Sequence, residues 1–389
     1  MATDLPLSGK SGDRVDGRIG EHGSGSTDLD AVWLEACVEL AHHGRIAGMR
    51  QLDGPRACRP EELREMIALV DGAMRGGTNQ SLLTDYPLVY RESNLSNVYI
   101  LRVDGEMAAV VPFIPREIEI GGASFRMGII SPTATAPQYR HQGYGTLCLR
   151  SAIEGMKRVG CEISVLWTRC ETFPFYELAG WQPVGNQGWM WTLRCRDSAV
   201  FAAASAADFS RRAMTDSDLP AIRALHERDP CGVRRTMDEY HALFHLPKME
   251  HSIAEHEGRP IAYLTWSNAV NKPGVIETGG EAVAVAHLLS LKLATLADDT
   301  TVTAWAPLTR NVLGGLLDLV LPGRRQAEGA GMMIRLNSPG DLIGRLASSW
   351  PEAALRDLVS ALFGAHPVKP SEPPEYLPIY FPIWLLDRS

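Results

Sequence analysis

Gln138-Tyr139-Arg140-His141-Gln142-Gly143-Tyr144-Gly145-Thr146 stands at the centre of the stretch Ser131 to Trp181, whose reading decides the fold. It follows the apolar run Met127-Gly128-Ile129-Ile130 and precedes a segment of helical period, Leu147 to Val159. There Cys148, Ala152, Met156 and Val159 recur on one side, while Arg150, Glu154, Lys157 and Arg158 face away. The order is strand, glycine turn, helix. Gly143 and Gly145 let backbone approach a ligand closely where the unpaired N–H groups of the helix's first turn point outward. With the helix dipole added, this is an anion site suited to a pyrophosphate. A strand, Cys161-Glu162-Ile163-Ser164-Val165-Leu166-Trp167, and an aromatic turn, Phe175-Tyr176-Glu177-Leu178-Ala179-Gly180-Trp181, come next.

Upstream, Asp104-Gly105 and Gly121-Gly122 each sit between apolar, β-rich runs and predict two hairpins, so an antiparallel meander feeds the motif strand. Met49 to Leu52 reads as a short opening strand. Arg59-Pro60-Glu61-Glu62 starts a helix with Pro and acids in its first turn. Downstream, Gly188 to Leu193 alternates and closes the first domain, and Ser198 to Ala207 reads as an Ala/Ser-rich connection. Beyond it the pattern returns: strand and helix over Arg211 to His226, a hairpin about Glu257-Gly258, then Val275-Ile276-Glu277, a helix from Ala282 to Leu296 and a strand Thr301 to Trp305. In this second copy Thr278-Gly279-Gly280-Glu281 is too short for a phosphate loop.

At 389 residues the chain exceeds what one core normally serves. The expected divisions are 1–47, a disordered N-terminus plus an added helix; 48–197, the first domain; 205–337, the second; and 338–389, C-terminal helices and an apolar tail. That tail, Ile379 to Leu386, is too apolar for a free terminus and is expected to dock. The net charge of −8 offers no basic patch, so no nucleic-acid partner is expected. The seven cysteines lack ligand spacing and read as reduced thiols, with no metal expected. No run approaches the ~20 apolar residues of a membrane span, and a soluble, cytoplasmic protein without a membrane partner is expected. The homo-oligomeric state stays open.

Arg140-His141-Gln142-Gly143-Tyr144-Gly145 resembles motif A of the GNAT acetyltransferases, Gln/Arg-x-x-Gly-x-Gly/Ala, and Phe175 to Trp181 resembles the family's Phe-Tyr-x-x-x-Gly-Phe turn. The whole chain resembles tandem-GNAT proteins of the enhanced intracellular survival (Eis) type and their shorter relatives. It departs from them in having too few residues after the second repeat for a sterol-carrier-like domain. The resemblance implies an α/β fold with mixed sheets (α+β in its strand order): tandem GNAT folds, the second degenerate, with a C-terminal docking tail. It implies acetyl-CoA as cosubstrate and transfer of the acetyl group to a primary amine of unknown identity. The alternative is a non-catalytic acyl-CoA-binding or scaffolding protein.

Acetyl transfer needs a held thioester, an unprotonated amine and a proton for the departing thiolate. By the resemblance, Thr133, Ala134 and Thr135 fall on the strand whose backbone holds pantetheine, as an added strand would be held. His141, Gln142, Gly143, Tyr144, Gly145 and Thr146 take the pyrophosphate. Arg140 either pairs with phosphate or braces the loop. Tyr176 matches the tyrosine that protonates the thiolate; a phenol near pKa ~10 is protonated at neutral pH. Its alternative role is an aromatic plug. No general base declares itself among Glu162, Glu119 and Asp85. Eis-type enzymes imply the chain's terminal carboxylate, here that of Ser389.

Overall fold

The computed structural model describes residues 50–338 other than 77, 79, 121–122, 185–187, 206–208, 230, 270–272, 310 and 328–330. The expected helix at 28–46, the apolar tail and Ser389 lie outside the described residues.

The chain enters with strand β1 (Leu52–Ala57), which begins later than the Met49 expected and pairs antiparallel with β2 (Val98–Val103). Between them the helix Leu63–Arg75 follows the Pro60–Glu62 turn. The Asp104-Gly105 hairpin forms as expected. Both residues have positive φ, 52° and 85°, the pairing that matches strand twist, and they join β2 to the long β3 (Glu106–Ile120). β3 turns back into β4 (Ala123–Ile130), in register from Phe113 opposite Ile130 to Ile120 opposite Ala123. After β4 come β5 (Ala134–Thr135), the motif helix Tyr144–Arg158 and β6 (Ile163–Trp167), which runs parallel to β4. β7 (Gln182–Pro183) ends this half.

Period-2 alternation sorts the apolar side chains of β2 to two faces. Val98 and Ile100 join Met66 and Val70 of the first helix, while Tyr99 and Leu101 join Cys148, Leu149, Ala152 and Met156 of the motif helix. Both faces are covered, which explains the nearly unbroken apolar reading of these strands. At Gly155 a Cβ would come 2.5 Å from the Tyr99 hydroxyl, so the motif helix rests directly on the sheet there.

The second half repeats this order with β9 (Ser210–Ala213), β11 (Met249–His256), β12 (Arg259–Ser267), β13 (Gly274–Gly280) and β14 (Thr301–Pro307). Its hairpin turn, Glu257-Gly258, again has both φ positive, 51° and 74°. The short β10 (Gly232–Arg234) instead pairs with β3, stitching the halves together.

The strand β8 (Gly188–Arg194), expected to close the first domain, does not join the first sheet. It pairs antiparallel with β14, and β15 (Gln326–Ala327) pairs on its far side. In return β16 (Met332–Leu336) crosses to the first sheet and lies between β6 and β7. The two sheets therefore share one plan: β1-β2-β3-β4-β6-β16-β7 and β9-β11-β12-β13-β14-β8-β15. Each is completed by a strand from the other half. The Ala/Ser-rich stretch after β8 is not a connection but the helix Ser198–Ala204, since Ala is the strongest helix former and Phe201 is fully buried.

Under the second sheet, Arg235 Nη1 meets Glu277 Oε1 at 3.0 Å and the Tyr263 hydroxyl donates to the same oxygen at 2.8 Å, with both charged side chains fully buried. Glu277→Ala would leave a guanidinium stranded in the interior. It is expected to destabilise the protein by about 3–5 kcal/mol, read as a lowered denaturant midpoint at unchanged m-value.

Candidate active site

The ladder between β4 and β6 ends at Ile129 opposite Val165. Past that point β4's continuation stays on β3: the Ser131 N–H donates to Pro112 O at 3.1 Å, Ala134 and Thr135 pair with Val110 and Ala109, and the Ala136 N–H donates to Ala108 O at 2.9 Å. β6 is drawn the other way by β16, which pairs with it as far as Trp167. Two neighbouring strands that part in this way leave a wedge with backbone groups on its walls, a place for an extended ligand to hydrogen-bond as a strand would. Thr133, Ala134 and Thr135 line one wall.

The glycine turn ends the wedge. His141 and Gly143 both adopt left-handed backbone, φ 60° and 83°, and Gly143 caps the motif helix. Arg140 Nε donates to the Thr135 carbonyl at 3.2 Å and Gln142 Nε2 to the Gln138 carbonyl at 2.8 Å. The Arg140 bond braces the loop, one of the two roles open for this residue. Among the described residues no backbone N–H from His141 to Thr146 donates to a protein acceptor. No acid stands in the helix's first turn to compete for them. A Cβ on Gly143 would meet nothing within 4 Å, so space lies open before these donors. Orphan donors, a helix dipole and open space together fit a phosphate group.

Gly145 does different work. A Cβ there would come 2.8 Å from Thr135 Oγ1, with the Phe175 ring at 3.6 Å. Its bareness closes the helix onto the wedge rather than onto a ligand.

Tyr176 belongs to the short helix Phe173–Glu177 that follows β6. Its ring packs edge-on to Phe175 and Trp181, with centroids at 4.9 and 6.1 Å. The phenol lies beside the Thr133 hydroxyl, and Thr133 Oγ1 donates to the Ser131 carbonyl at 3.2 Å. Burial raises the phenol above its ordinary pKa of 10.0, and the Thr133 hydroxyl offsets part of that. It therefore holds its proton throughout the neutral range. The hydroxyl of Ser131, at the point where the strands part, is buried without a protein partner among the described residues, another group that a wedge ligand could satisfy.

The acidic residues considered as bases are engaged structurally. Glu162 Oε2 accepts the Arg126 N–H at 3.3 Å, Glu119 pairs with Arg234, and Asp85 pairs with Arg75 at 2.6 Å. A group missed by the sequence reading lies in the second half. Asp229 is pushed up to about 7 by burial and by Glu277, and it lines a cleft of about 590 Å³ with Ala282 and Val312, the first residues of two helices. Only its place in a loop before β10 was legible, and that carries no signal.

The parted strands, the glycine turn and the repeated sheet plan define a tandem α/β fold of the acyltransferase type. Residues 55–184 match the family model of the acetyltransferase (GNAT) domain. Among solved structures, a GCN5-related N-acetyltransferase from Kribbella flavida aligns with a TM-score of 0.59 over 76% of this chain and 73% of its own, at 16% identity. A conserved protein of unknown function from Enterococcus faecalis V583, described as a probable N-acyltransferase, gives 0.59 over 75% and 73%, also at 16% identity. Eis1 from Mycobacterium abscessus gives 0.51 over 74% and 75%, at 14% identity. At such identities the likeness is one of fold, and it reaches beyond residues 55–184 into the second half. No curated protein sequence matches the chain. No helix among the described residues is long and apolar enough to cross a membrane.

The Gly145–Thr135 contact can be tested by a double-mutant cycle. Gly145→Ala should destabilise by about 1–3 kcal/mol through overpacking. Adding Thr135→Ala should recover much of that loss, with a coupling of ~0.5 kcal/mol or more in urea melts.

Proposed function

We propose that the chain is an N-acetyltransferase that moves an acetyl group from acetyl-CoA to a primary amine by direct attack, with Tyr176 as general acid. The observation that carries this reading is the Tyr176 phenol, buried, holding its proton and lying beside Thr133 at the wedge. Acetyl-CoA supplies a thioester open to an unprotonated amine. The wall of the wedge at Thr133, Ala134 and Thr135 would hold the pantetheine arm. The N–H groups of His141 to Thr146 would bind the pyrophosphate, and Arg140 would keep their loop in shape. The Tyr176 hydroxyl would give its proton to the departing thiolate. The second repeat, lacking a phosphate loop, would bind no acetyl-CoA.

Tyr176→Phe keeps the ring and removes the proton donor. It should lower kcat on the order of 10²–10⁴-fold while leaving the dissociation constant for acetyl-CoA nearly unchanged. Release of CoA against a panel of primary amines measures this. Binding without any amine-dependent release in the wild type would instead support a scaffold. An unchanged kcat in the variant would reduce Tyr176 to packing.

Gly143→Asp places a negative charge before the orphan N–H groups. Gly143→Ala carries only the left-handed backbone strain of about 1–2 kcal/mol. Calorimetry should give one acetyl-CoA site per chain, with the Asp variant at least ~10-fold weaker than the Ala variant. Two sites per chain, or equal affinities, would contradict the assignment of the turn.

A further inference from the structure

Three side chains from two elements converge on the surface of the second half. Asp216 opens the turn Asp216–Asp218, and His241 and His245 stand four residues apart at the end of the helix Met237–Phe244. His241 Nε2 lies 3.5 Å from Asp216 Oδ2, and His245 Nε2 lies 3.2 Å from Asp216 Oδ1. One donor atom from each residue falls within 4.8 Å of the others. We propose that these residues form a binding site for a divalent transition metal of the zinc class, held by both Nε2 atoms and the Asp216 carboxylate.

The spacing suits such an ion. Bonds of about 2.0–2.2 Å from zinc to nitrogen and oxygen give tetrahedral edges of roughly 3.3–3.6 Å. Each imidazole nitrogen already lies near that edge from one oxygen of the Asp216 carboxylate, His241 from Oδ2 and His245 from Oδ1.

Hydrogen bonding orients the lone pairs. His245 Nδ1 lies 2.7 Å from the His241 carbonyl oxygen, which can only accept. The ring proton therefore sits on Nδ1, and Nε2 turns a lone pair toward a carboxylate oxygen. In the neutral ring two acceptors then face each other, an arrangement that a bridging cation satisfies. The two rings are stacked, with centroids 4.3 Å apart and planes at 22°. A single divalent ion serves both rings and the carboxylate.

The frame is fixed in advance. The helix start carries a reciprocal capping box, Glu239 Oε2 accepting the Thr236 N–H at 2.9 Å while Thr236 Oγ1 accepts the Glu239 N–H at 3.3 Å. Glu239 also binds buried Arg116 at 2.7 Å. In the opposing turn Asp218 is taken up by Arg212, with both oxygens at 2.6 Å, leaving Asp216 as the carboxylate presented to the rings. The histidines lie at the helix C-terminus, the negative end of its dipole, which favours a cation. Imidazole with carboxylate and no thiolate is a donor set for zinc, cobalt or nickel. The side chains are 60%, 46% and 61% exposed for His241, His245 and Asp216, so water can complete the coordination. A bound ion would clip the turn before the helix Leu219–His226 to the end of Met237–Phe244.

The absence of cysteine ligand spacing led the sequence reading to expect no metal. It left unread an imidazole pair at helical i, i+4 spacing whose carboxylate partner is distant in sequence.

The test is Zn²⁺ titration by calorimetry on full-length protein without a polyhistidine tag, with Co²⁺ absorption as a second readout. Wild type should take up Zn²⁺ at a site that His241→Ala with His245→Ala weakens ~100-fold or more, since even changes behind the ligands can cost 10–100-fold. Asp216→Asn, which keeps the side chain's shape, should weaken it ~10-fold or more and dim the Co²⁺ ligand-field bands. No uptake by wild type, or equal affinity and stoichiometry in the histidine double variant, overturns the assignment. Should the double variant fail to fold, Asp216→Asn decides alone: undiminished affinity there is equally fatal.

Discussion

Beyond Val165 β6 parts from β4 but stays paired with β16, a strand from the far end of the described chain. β16 pairs with β6 from Leu336 opposite Ile163 to Met332 opposite Trp167. Met333 enters the same core as Tyr176 and Trp181, and the Arg335 guanidinium lies 5.7 Å over the Trp181 ring. Arg335 Nε also donates to the Ala179 carbonyl at 3.0 Å, inside the aromatic turn. The loop that carries the phenol is thus braced by a residue 159 positions after Tyr176, by the numbering. β8 reciprocates, its Trp191 and Leu193 filling the core beneath the second sheet. Neither half can complete its sheet without the other, so the first half's site depends on the second half's fold.

That dependence gives the second half a structural role, and the residues at its turn are engaged in packing. Where the first half has a turn between β5 and its helix, β13 runs straight into the helix Ala282–Leu293. Gly279 admits the Tyr263 ring, 2.5 Å from where a Cβ would stand. Gly280, at φ 105°, lies against the Ile261 carbonyl, 2.1 Å from its missing Cβ. The Glu281 N–H donates to Ile261 O at 3.0 Å, and its carboxylate stands at the helix start, where an anion would otherwise bind. The glycines survive as packing devices, and the charge beside them has the wrong sign for phosphate. The buried Arg235–Glu277 pair occupies the sheet beneath.

Local chemistry was legible and long-range destination was not. Asp104-Gly105, Glu257-Gly258, Gly143 and the motif helix are each decided within a few residues by φ requirements and helical period, and each stands where the sequence placed it. Thr133, Ala134 and Thr135 were picked out only by the resemblance of the motif strand. β8 could not be placed this way. Alternation in Gly188 to Leu193 tells which side chains share a face, but a strand of either half would alternate alike. Gly188 carries the missing signal, since a Cβ there would strike the Trp305 ring at 2.4 Å, yet that neighbour is known only once β14 is beside it. Glu277 was hidden for a related reason: an acid in a strand reads as a solvated face unless a partner such as Arg235 is known to be buried opposite. The linker assigned to Ser198 to Ala207 failed on composition, because alanine signals helix as readily as looseness.

The two roles weighed for Tyr176, plug and acid, are compatible, because they belong to different atoms. The ring is packing: it meets Phe175 and Trp181 edge-on in the core that the motif helix and β16 share. The hydroxyl is the only polar part, and it reaches the Thr133 hydroxyl at the point where the strands part. Packing fixes the ring's position, so the hydroxyl needs no ordering when a ligand arrives. The same burial disfavours phenolate, so the hydroxyl keeps its proton. An exposed tyrosine on this turn would have the proton without the position. A phenylalanine would have the position without the proton.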